Sequence, residues 1–209
     1  MHIKTIVFTG DSHTWGEGSA KSNPPDYFGD GAPAVAGDLR RMRADYPSFV
    51  SLISNWLSGK YRVINSGIGS CPTFKYLDEY WDGYVVSYDP EIIVIQPHTI
   101  NDWLTGEGPD IYRNHLERYI GAALKITKKI ILTTVSPVLG EQTVPGNPGA
   151  LYADYIDQIY IVGKSRGIKI ADVYPKLSDP SYFSDIWHVN IKGHKIYADT
   201  IMEILREMI

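Results

Sequence analysis

The chain has 209 residues, of which 44% are hydrophobic and 21% are charged, and this composition excludes a collagen-like, coiled-coil or disordered protein. Its formal net charge of −4 offers no basic excess for binding a nucleic acid. The single cysteine, Cys71, excludes an intrachain disulfide and a cysteine-based zinc cluster.

The apolar segments are all too short for a membrane protein. No apolar run reaches about 18 residues, so no membrane span is predicted. The apolar residues near the N-terminus are too few for a signal peptide and lead directly into a turn. If Met1 is the natural start, we expect a cytoplasmic protein; if a leader has been trimmed away, we expect a secreted one.

The N-terminal part begins with an apolar run, Lys4–Thr9, which is predicted as the first strand. The segment Gly16–Gly37 is rich in Gly, Pro, Ser and Ala, and a loop of this length is typical of either a lid or a disordered segment. Pro47 suits the first position of a helix over Ser48–Gly59. Helical spacing predicts that this helix buries Phe49, Leu52, Ile53, Trp56 and Leu57.

The middle of the chain repeats the alternation of strands and helices. Short runs rich in Ile and Val predict strands at Tyr61–Asn65, Glu91–Gln96 and Lys129–Val135. Helices are predicted at Thr73–Val86 and Asp110–Thr127. The second of these helices carries its periodic side chains at Ile111, His115/Leu116, Tyr119/Ile120 and Ala123/Leu124.

The C-terminal part starts with a second loop containing Gly and Pro, Gly140–Gly149. Helical spacing follows at Gly149–Ser165, and the last predicted strand is Lys169–Val173. The final helix is predicted at Ile191–Met208, with Asn190 as its cap.

The predicted strands are short and largely apolar on both faces, which is typical of a parallel sheet covered by helices on both sides. Their alternation with helices predicts an α/β fold, a three-layer α/β/α sandwich with a five-stranded parallel sheet. Neither an internal repeat nor a domain boundary is visible, so residues 1–209 are expected to form a single domain.

Polar side chains follow the ends of the predicted strands, where open parallel sheets bind ligands. Ser12 follows the first strand, the glycine-containing turn at Gly69 follows the second, and Asn101 follows the third. Asp185 and His188 come after the last strand, just before the final helix. A hydroxyl, an amide, a carboxylate and an imidazole at one edge are the components of a serine acyl-transfer site.

The spacing of these residues suggests their roles. Asp185 and His188 are three residues apart, and in a helix-like turn the carboxylate can hold the imidazole in the tautomer that accepts the proton of Ser12. A serine hydroxyl needs such a base to be nucleophilic near neutral pH. The oxyanion needs donors, which Asn101 and backbone N–H groups of Ser12 and of the turn at 69–70 can supply.

The chain resembles the SGNH (GDSL-type) hydrolases, a family of esterases, lipases and carbohydrate deacetylases with a flavodoxin-like α/β/α fold. The first block of the family is matched by Gly10-Asp11-Ser12-His13-Thr14, the third by Asn101-Asp102, and the last by Asp185 and His188. The blocks occur in the expected order over nearly the whole chain. The resemblance implies that Ser12 is the nucleophile and that Asp185 and His188 complete a catalytic triad.

Two positions depart from the family pattern. Thr99 takes the place of a glycine in the third block, which predicts an altered backbone or a narrower pocket. Ser70 stands where the second block has a glycine, five residues after Asn65. The N–H of either Ser70 or Gly69 can serve the oxyanion, and we favour Gly69.

Other residues near these motifs are expected to be structural. Asp11 is predicted to organise its turn, Asp102 to cap a helix or turn, and Cys71 to fill a buried space. Four histidines are expected to be structural or at the surface, with His98 also a candidate for the pocket lining: His13, His98, His115 and His194. Three tryptophans near the motifs either belong to the core or stack on a substrate: Trp15, Trp103 and Trp187.

Competing motifs are absent or misplaced. Gly163-Lys164-Ser165-Arg166-Gly167 matches the Gly-x-Ser-x-Gly motif of α/β-hydrolases, but it ends a helix and precedes a strand, which is the wrong order. Gly167 is therefore interpreted as a helix stop. His-Glu-x-x-His and Gly-x-x-x-x-Gly-Lys are missing, and Gly67-Ile68-Gly69 lacks the third glycine of a dinucleotide site. No metal ion and no cofactor are predicted.

The sequence thus predicts a serine esterase that removes acetyl or other short acyl groups from a small-molecule or carbohydrate ester. Two alternatives remain open. One is an acyltransferase in which a sugar or polymer hydroxyl replaces water, and the other is a flavodoxin-like binding module that retains the motifs without activity. The oligomeric state is not predicted.

Overall fold

A five-stranded parallel sheet lies at the centre of the structure. The computed structural model describes residues 3–19, 48–140, 143–144 and 147–209. The strands in these residues are β1 (Lys4–Gly10), β2 (Tyr61–Gly67), β3 (Ile92–Ile95), β4 (Ile130–Thr133), β5 (Thr143–Val144), β6 (Asn147–Leu151) and β7 (Lys169–Ala171). The parallel sheet has the order β2-β1-β3-β4-β7, and β5 and β6 form a separate antiparallel pair. The predicted α/β class and five-stranded sheet are confirmed.

Helices follow most of the strands. They are α1 (Ser12–Trp15), α2 (Phe49–Trp56), α3 (Thr73–Lys75), α4 (Trp81–Tyr84), α5 (Thr99–Thr105), α6 (Pro109–Ile126), α7 (Tyr152–Ser165) and α8 (Ile191–Leu205). Helix α2 packs beside α8, and α6 packs beside α7. Within the described ranges, no helix combines the length and the apolar character needed to cross a bilayer.

The sheet separates two apolar clusters, because successive side chains of a strand point to opposite faces. On β1, Val7 belongs to the cluster with residues of α6 and α7, whereas Ile6 and Phe8 belong to the cluster with residues of α2 and α8. Both faces of the central strands are therefore buried, which explains their continuous apolar sequences.

The predicted strands are found in place, with ends that differ by one or two residues. Strands β1 and β2 extend to Gly10 and Gly67, which are paired in register. A Cβ atom at Gly67 would lie 2.4 Å from the backbone nitrogen of Trp15. Only glycine therefore lets the end of β2 lie this close to α1.

The predicted helix Thr73–Val86 is wrong as a single regular helix. A π-helical turn at Tyr76–Tyr80 separates α3 from α4, and a 3₁₀ turn follows. Tyr76 and Trp81 are both buried, and both rings pack against Tyr119. In a regular α-helix, side chains five residues apart lie about 140° apart around the axis. The wider π turn brings these two rings to the same side.

Two short helices are missing from the predictions. Helices α1 and α5 have four and seven residues and begin just after β1 and β3. Segments this short do not complete the apolar repeat by which a helix is recognised. Both carry candidate site residues, since Ser12 opens α1 and Asn101 lies in α5.

The loop predictions have a mixed outcome. The loop Gly140–Gly149 contains β5 and the start of β6, so the following helix begins at Tyr152 rather than at Gly149. Of the loop Gly16–Gly37, only residues 16–19 are described, and the remainder lies outside the described residues together with Pro47.

Two side chains on predicted apolar faces are exposed. Trp56 is 46% exposed, and the Lys195 ammonium group lies 5.9 Å from the centroid of one of its rings. The indole therefore lies at the solvent boundary beside a cation, which its π surface attracts. Ile111 in the first turn of α6 is 44% exposed, while Tyr112 beside it is buried in its place.

All five strands of the sheet run parallel, but the direction in which successive strands are added to the sheet reverses at β1. Strand β2 pairs with one side of β1, and β3 pairs with the other. In open α/β sheets, this reversal creates a crevice at the carboxyl ends of the two strands. Because α1 follows β1 and α5 follows β3, Ser12 and Asn101 lie at the same crevice.

Candidate active site

Ser12 is the first residue of α1, and it is only 4% exposed. The Asp11 carboxylate caps this helix by accepting the N–H of His13 at 3.0 Å. The side-chain oxygen of Gln96 accepts the N–H of Asp11 at 3.1 Å and the hydroxyl of Thr14 at 2.9 Å. These bonds hold the turn. Because Ser12 begins a helix, its own N–H has no acceptor within that helix.

A buried carboxylate and a buried imidazole lie in contact beneath this turn. Asp11 Oδ1 is 3.2 Å from His13 Nδ1, and His13 Nε2 is 2.9 Å from the carbonyl of Trp187 and 3.0 Å from Ser136 Oγ. Burial disfavours both charges, but the contact between the two lowers the pKa of Asp11 and raises the pKa of His13. His13 thereby links the turn after β1 to the residue that precedes His188.

Ser12, His188 and Asp185 form a continuous chain of hydrogen bonds. Ser12 Oγ lies 3.0 Å from His188 Nε2, and His188 Nδ1 lies 2.7 Å from Asp185 Oδ2. The other oxygen of Asp185, Oδ1, accepts the backbone N–H groups of Trp187 at 2.9 Å and of His188 at 2.7 Å. Although burial disfavours its charge, these bonds lower the pKa of Asp185.

The predicted helix-like turn between Asp185 and His188 is wrong. Residues 184–187 form bends, because the N–H groups of Trp187 and His188 bond to the Asp185 carboxylate rather than to backbone carbonyls. The expected contact between carboxylate and imidazole is nevertheless present. An ionised Asp185 only accepts hydrogen bonds, so it favours the proton on His188 Nδ1 and leaves Nε2 to accept the Ser12 hydroxyl.

The loop around His188 is held from several sides. The N–H and the hydroxyl of Ser184 both donate to the His188 carbonyl, at 2.9 and 3.1 Å. Asn190 caps α8, as predicted, and its amide donates to the Ser181 carbonyl at 2.8 Å. A Cβ atom on Gly18 would lie 2.8 Å from His188 Cβ, so the chain after α1 packs directly on the imidazole-bearing residue.

A small cavity opens beside Ser12 and His188, with a volume of about 200 Å³. Pockets for drug-sized ligands typically measure about 300–1,000 Å³, so this cavity suits a small group. The described residues that line it are Ser12, Glu17, Ser70, Ile100, Asn101, Leu104, Trp187 and His188. The amide nitrogen of Asn101 also donates to Asp11 Oδ2 at 3.4 Å.

The two departures from the family pattern have different structural meanings. Ser70 has a φ of +54°, in the left-handed region that glycine adopts without strain, which explains why a glycine suits this position. Ser70 lines the cavity, and Gly69 is not among the described lining residues. Thr99 is the buried first residue of α5, and its hydroxyl lies 2.8 Å from that of Tyr112. It does not line the cavity, so it does not narrow it.

Glu17 lies in the same cavity and was not predicted as a site residue. Its Oε2 atom is 3.3 Å from His188 Nε2, and its side chain is 8% exposed. The available signal was an acidic residue between two glycines, Gly16 and Gly18, directly after the turn of Ser12. That signal is weak, because acidic residues are common in exposed turns.

The remaining candidates are largely structural, as expected. Cys71 is buried, and burial raises the pKa of its thiol to about 12. His98 is buried, bonds to the carbonyl of Cys71 at 2.7 Å and is not among the cavity-lining residues. Trp103 is 4% exposed and packs edge-on against Tyr152, so it cannot stack on a substrate. Trp187 does line the cavity, whereas Trp15 is not among the lining residues.

Three more assignments are supported by contacts. Asp102 accepts the N–H and the hydroxyl of Thr73 at the start of α3, in keeping with the predicted capping role. His194 is buried, and His115 lies 3.4 Å from Asp102. Gly167 follows α7 with a φ of +64°, which agrees with a helix stop. In the part of the chain that the structure describes, no group of three or more His, Cys, Asp or Glu side chains is arranged to hold a metal ion.

Comparison with known proteins gives a consistent picture. The GDSL-like Lipase/Acylhydrolase family model matches residues 8–196. A lipase/acylhydrolase from Enterococcus faecalis has a similar structure, with a TM-score of 0.73 and 18% identity, covering 99% of this chain and 97% of that one. Axe2, an acetylxylan esterase from Geobacillus stearothermophilus, has a TM-score of 0.71 and 19% identity, with 96% and 93% coverage. No curated protein matches the sequence significantly.

Proposed function

Since the chain belongs to the GDSL-like Lipase/Acylhydrolase family, a family of ester-bond hydrolases, we propose that it cleaves short-acyl carboxylic esters with Ser12 as its nucleophile. The observation that carries this proposal is the hydrogen-bonded chain from Ser12 Oγ through His188 to Asp185. It provides a nucleophile, a base and a group that orients the base, which together make a serine reactive.

In the first half of the reaction, Ser12 Oγ attacks the ester carbonyl while its proton moves to His188 Nε2. The bond to the alcohol then breaks, and the leaving oxygen takes the proton from Nε2. In the second half, water attacks the acyl-enzyme and gives a proton to Nε2, which returns it to Ser12 as the acid departs. Asp185 stays ionised and stabilises the positive ring in both halves.

The negative oxygen of the tetrahedral intermediate needs hydrogen-bond donors. We assign this role to the Ser12 N–H, the Asn101 amide and the turn at 69–70, with Gly69 as the predicted donor of that turn. The location of Ser12, Asn101 and the turn at 69–70 around one cavity supports the assignment, although within that turn it is Ser70, and not Gly69, that lines the cavity. The N–H of Ser12 is suited to it as the first N–H of a helix.

The size of the cavity supports a short acyl group, and the structural similarity to an acetylxylan esterase supports carbohydrate acetyl esters as substrates. We expect kcat/KM to be highest for acetyl esters in a panel of p-nitrophenyl esters of increasing chain length. Acetylated sugars, assayed alongside by acetate release, test the carbohydrate class. A fluorophosphonate probe should label Ser12 covalently. Neither labelling nor turnover would instead indicate a binding module, and diversion of the acyl group to added sugars would indicate a transferase.

Asn101→Ala tests the assigned oxyanion donor. Loss of one such donor typically lowers kcat by about 10²–10³-fold, because the donor acts on charge that develops only in the transition state. We expect that loss with acetyl esters and little change in KM. The matched control is Asn114→Ala, at an exposed position of α6, which should leave kcat unchanged. An unaltered kcat in Asn101→Ala would remove this residue from the oxyanion site.

A further inference from the structure

Glu17 is a buried carboxylate whose backbone is anchored on both sides of the site. Its N–H donates to the Ser12 carbonyl at 2.9 Å, and its own carbonyl lies 3.2 Å from His194 Nε2. Burial lowers the pKa of His194 to about 3, so its ring is neutral. Because His194 Nδ1 accepts the N–H of Phe49, the ring proton lies on Nε2 and is donated to the backbone carbonyl of Glu17.

The glycines on either side of Glu17 make its position specific. Gly16 has a φ of +112° and Gly18 a φ of +84°, a backbone conformation that other residues rarely adopt. These two glycines let the chain turn sharply after α1. Glu17 is thereby held between Ser12 and the loop of His188, rather than in an exposed turn.

The Glu17 side chain meets His188 at the nitrogen that transfers protons. Glu17 Oε2 is 3.3 Å from Nε2, and Ser12 Oγ is 3.0 Å from the same atom. In the proposed reaction, the leaving oxygen of the alcohol must come within hydrogen-bonding distance of Nε2 to receive its proton. The carbon atoms next to that oxygen therefore lie within reach of Glu17.

Glu17 is also the acidic side chain among the described residues around the cavity. Among the described residues that line it, Glu17 carries the only carboxylate, and none is Lys or Arg. A carboxylate has about four acceptor sites, so Glu17 can accept a substrate hydroxyl in addition to its contacts within the protein. A negative group on the alcohol would be repelled by the carboxylate, and an apolar one would offer it no hydrogen bond.

We infer that Glu17 selects esters whose alcohol carries a free hydroxyl next to the ester oxygen, as in a partly acetylated sugar or polyol. This inference rests on the proposed function and specifies its leaving group. A neutral hydroxyl fits better than a cationic group, because His188 itself becomes positive next to Glu17 when it takes the proton of Ser12.

The test compares esters that differ only in the group facing Glu17. 2-Hydroxyethyl acetate and propyl acetate have the same size, but only the first has a terminal hydroxyl. Because hydrogen bonds to charged groups are comparatively strong, we expect the wild-type kcat/KM to favour the hydroxyl ester by about 10- to 100-fold. Acetylcholine and acetoxyacetate, which carry a positive and a negative group, complete the set.

Two variants connect the preference to Glu17. Glu17→Met keeps the length of the side chain without an acceptor, and it should bring the ratio of hydroxyl to propyl ester close to one. Glu17→Gln keeps one acceptor oxygen and should give an intermediate ratio, and it serves as the test if Glu17→Met does not fold by circular dichroism. Glu203→Gln removes a carboxylate from an exposed position of α8 and should leave the ratio of hydroxyl to propyl ester unchanged.

Each result decides the inference. Equal kcat/KM values for the hydroxyl and propyl esters in the wild type overturn it, as does a ratio that survives in both folded Glu17 variants. A Glu17-dependent preference for acetylcholine over the hydroxyl ester overturns the choice of a neutral donor. If none of the esters is cleaved, the inference fails, and labelling of Ser12 by a fluorophosphonate then shows whether the proposed function fails with it.

Discussion

Replacing Ser12 by alanine should lower ester turnover by about 10⁴-fold or more, because no other described residue that lines the cavity offers a hydroxyl within bonding distance of His188 Nε2. The side chain of Ser12 bonds only to His188 among the described residues, and its backbone contacts do not require the hydroxyl. We therefore expect the thermal unfolding midpoint to change little. Turnover of p-nitrophenyl acetate and covalent labelling by a fluorophosphonate measure the effect.

The matched control for this variant is Ser58→Ala, which removes a hydroxyl from the exposed turn after α2. It should retain wild-type turnover and labelling. Retained turnover in a folded Ser12→Ala protein would show that another group is the nucleophile. A loss of both turnover and folded structure would make the labelling of the wild-type protein, mapped by peptide mass spectrometry, the deciding measurement.

Replacing Asp185 by asparagine should lower kcat by about 10⁴-fold, through a change of tautomer rather than a change of shape. The two backbone N–H donors bond to Oδ1, and His188 Nδ1 bonds to Oδ2. An asparagine fits these contacts with its oxygen in the place of Oδ1 and its NH₂ group in the place of Oδ2. That NH₂ group donates to Nδ1, so the ring proton moves to Nε2, where it faces Ser12 and blocks proton transfer.

Asp179→Asn provides a control with closely related geometry. Asp179 also accepts the N–H of the residue two positions later, Ser181, at 2.8 Å, but it has no imidazole partner in the described structure. Its replacement should preserve both the turn and kcat. If Asp185→Asn keeps more than about a tenth of the wild-type kcat, Asp185 does not orient the base, and the pH–rate profile of that variant would show which group does.

The locations of the candidate site residues could be read from the sequence because each one depends on local features. Ser12 follows an apolar strand through a glycine, Asn101 follows another, and Asn190 is a typical cap before the last helix. Parallel strands bring their carboxyl ends to one edge, so the position of each residue in its own segment predicts the common edge. The contact between Asp185 and His188 also follows from their short separation.

Other features depend on packing between distant segments. The π turn at Tyr76–Tyr80 is needed because Tyr76 and Trp81 both contact Tyr119, some forty residues later in the chain. Ser70 has a left-handed backbone conformation in the turn beside the cavity. A glycine would have predicted that conformation, but a serine does not. Trp56 has the spacing of a buried residue, yet its position at the end of α2 leaves it exposed.

The sequence by itself determined the fold class, the places of the five sheet strands and of the longer helices along the chain, and the chemistry available at the carboxyl ends of the strands. These follow from periodicity and turn residues within short segments, which are local properties. Only the tertiary structure decided that Ser12 and His188, 176 positions apart, lie at bonding distance and that Glu17 joins them. Such distances depend on how whole helices pack on the sheet, and no local pattern of residues encodes them.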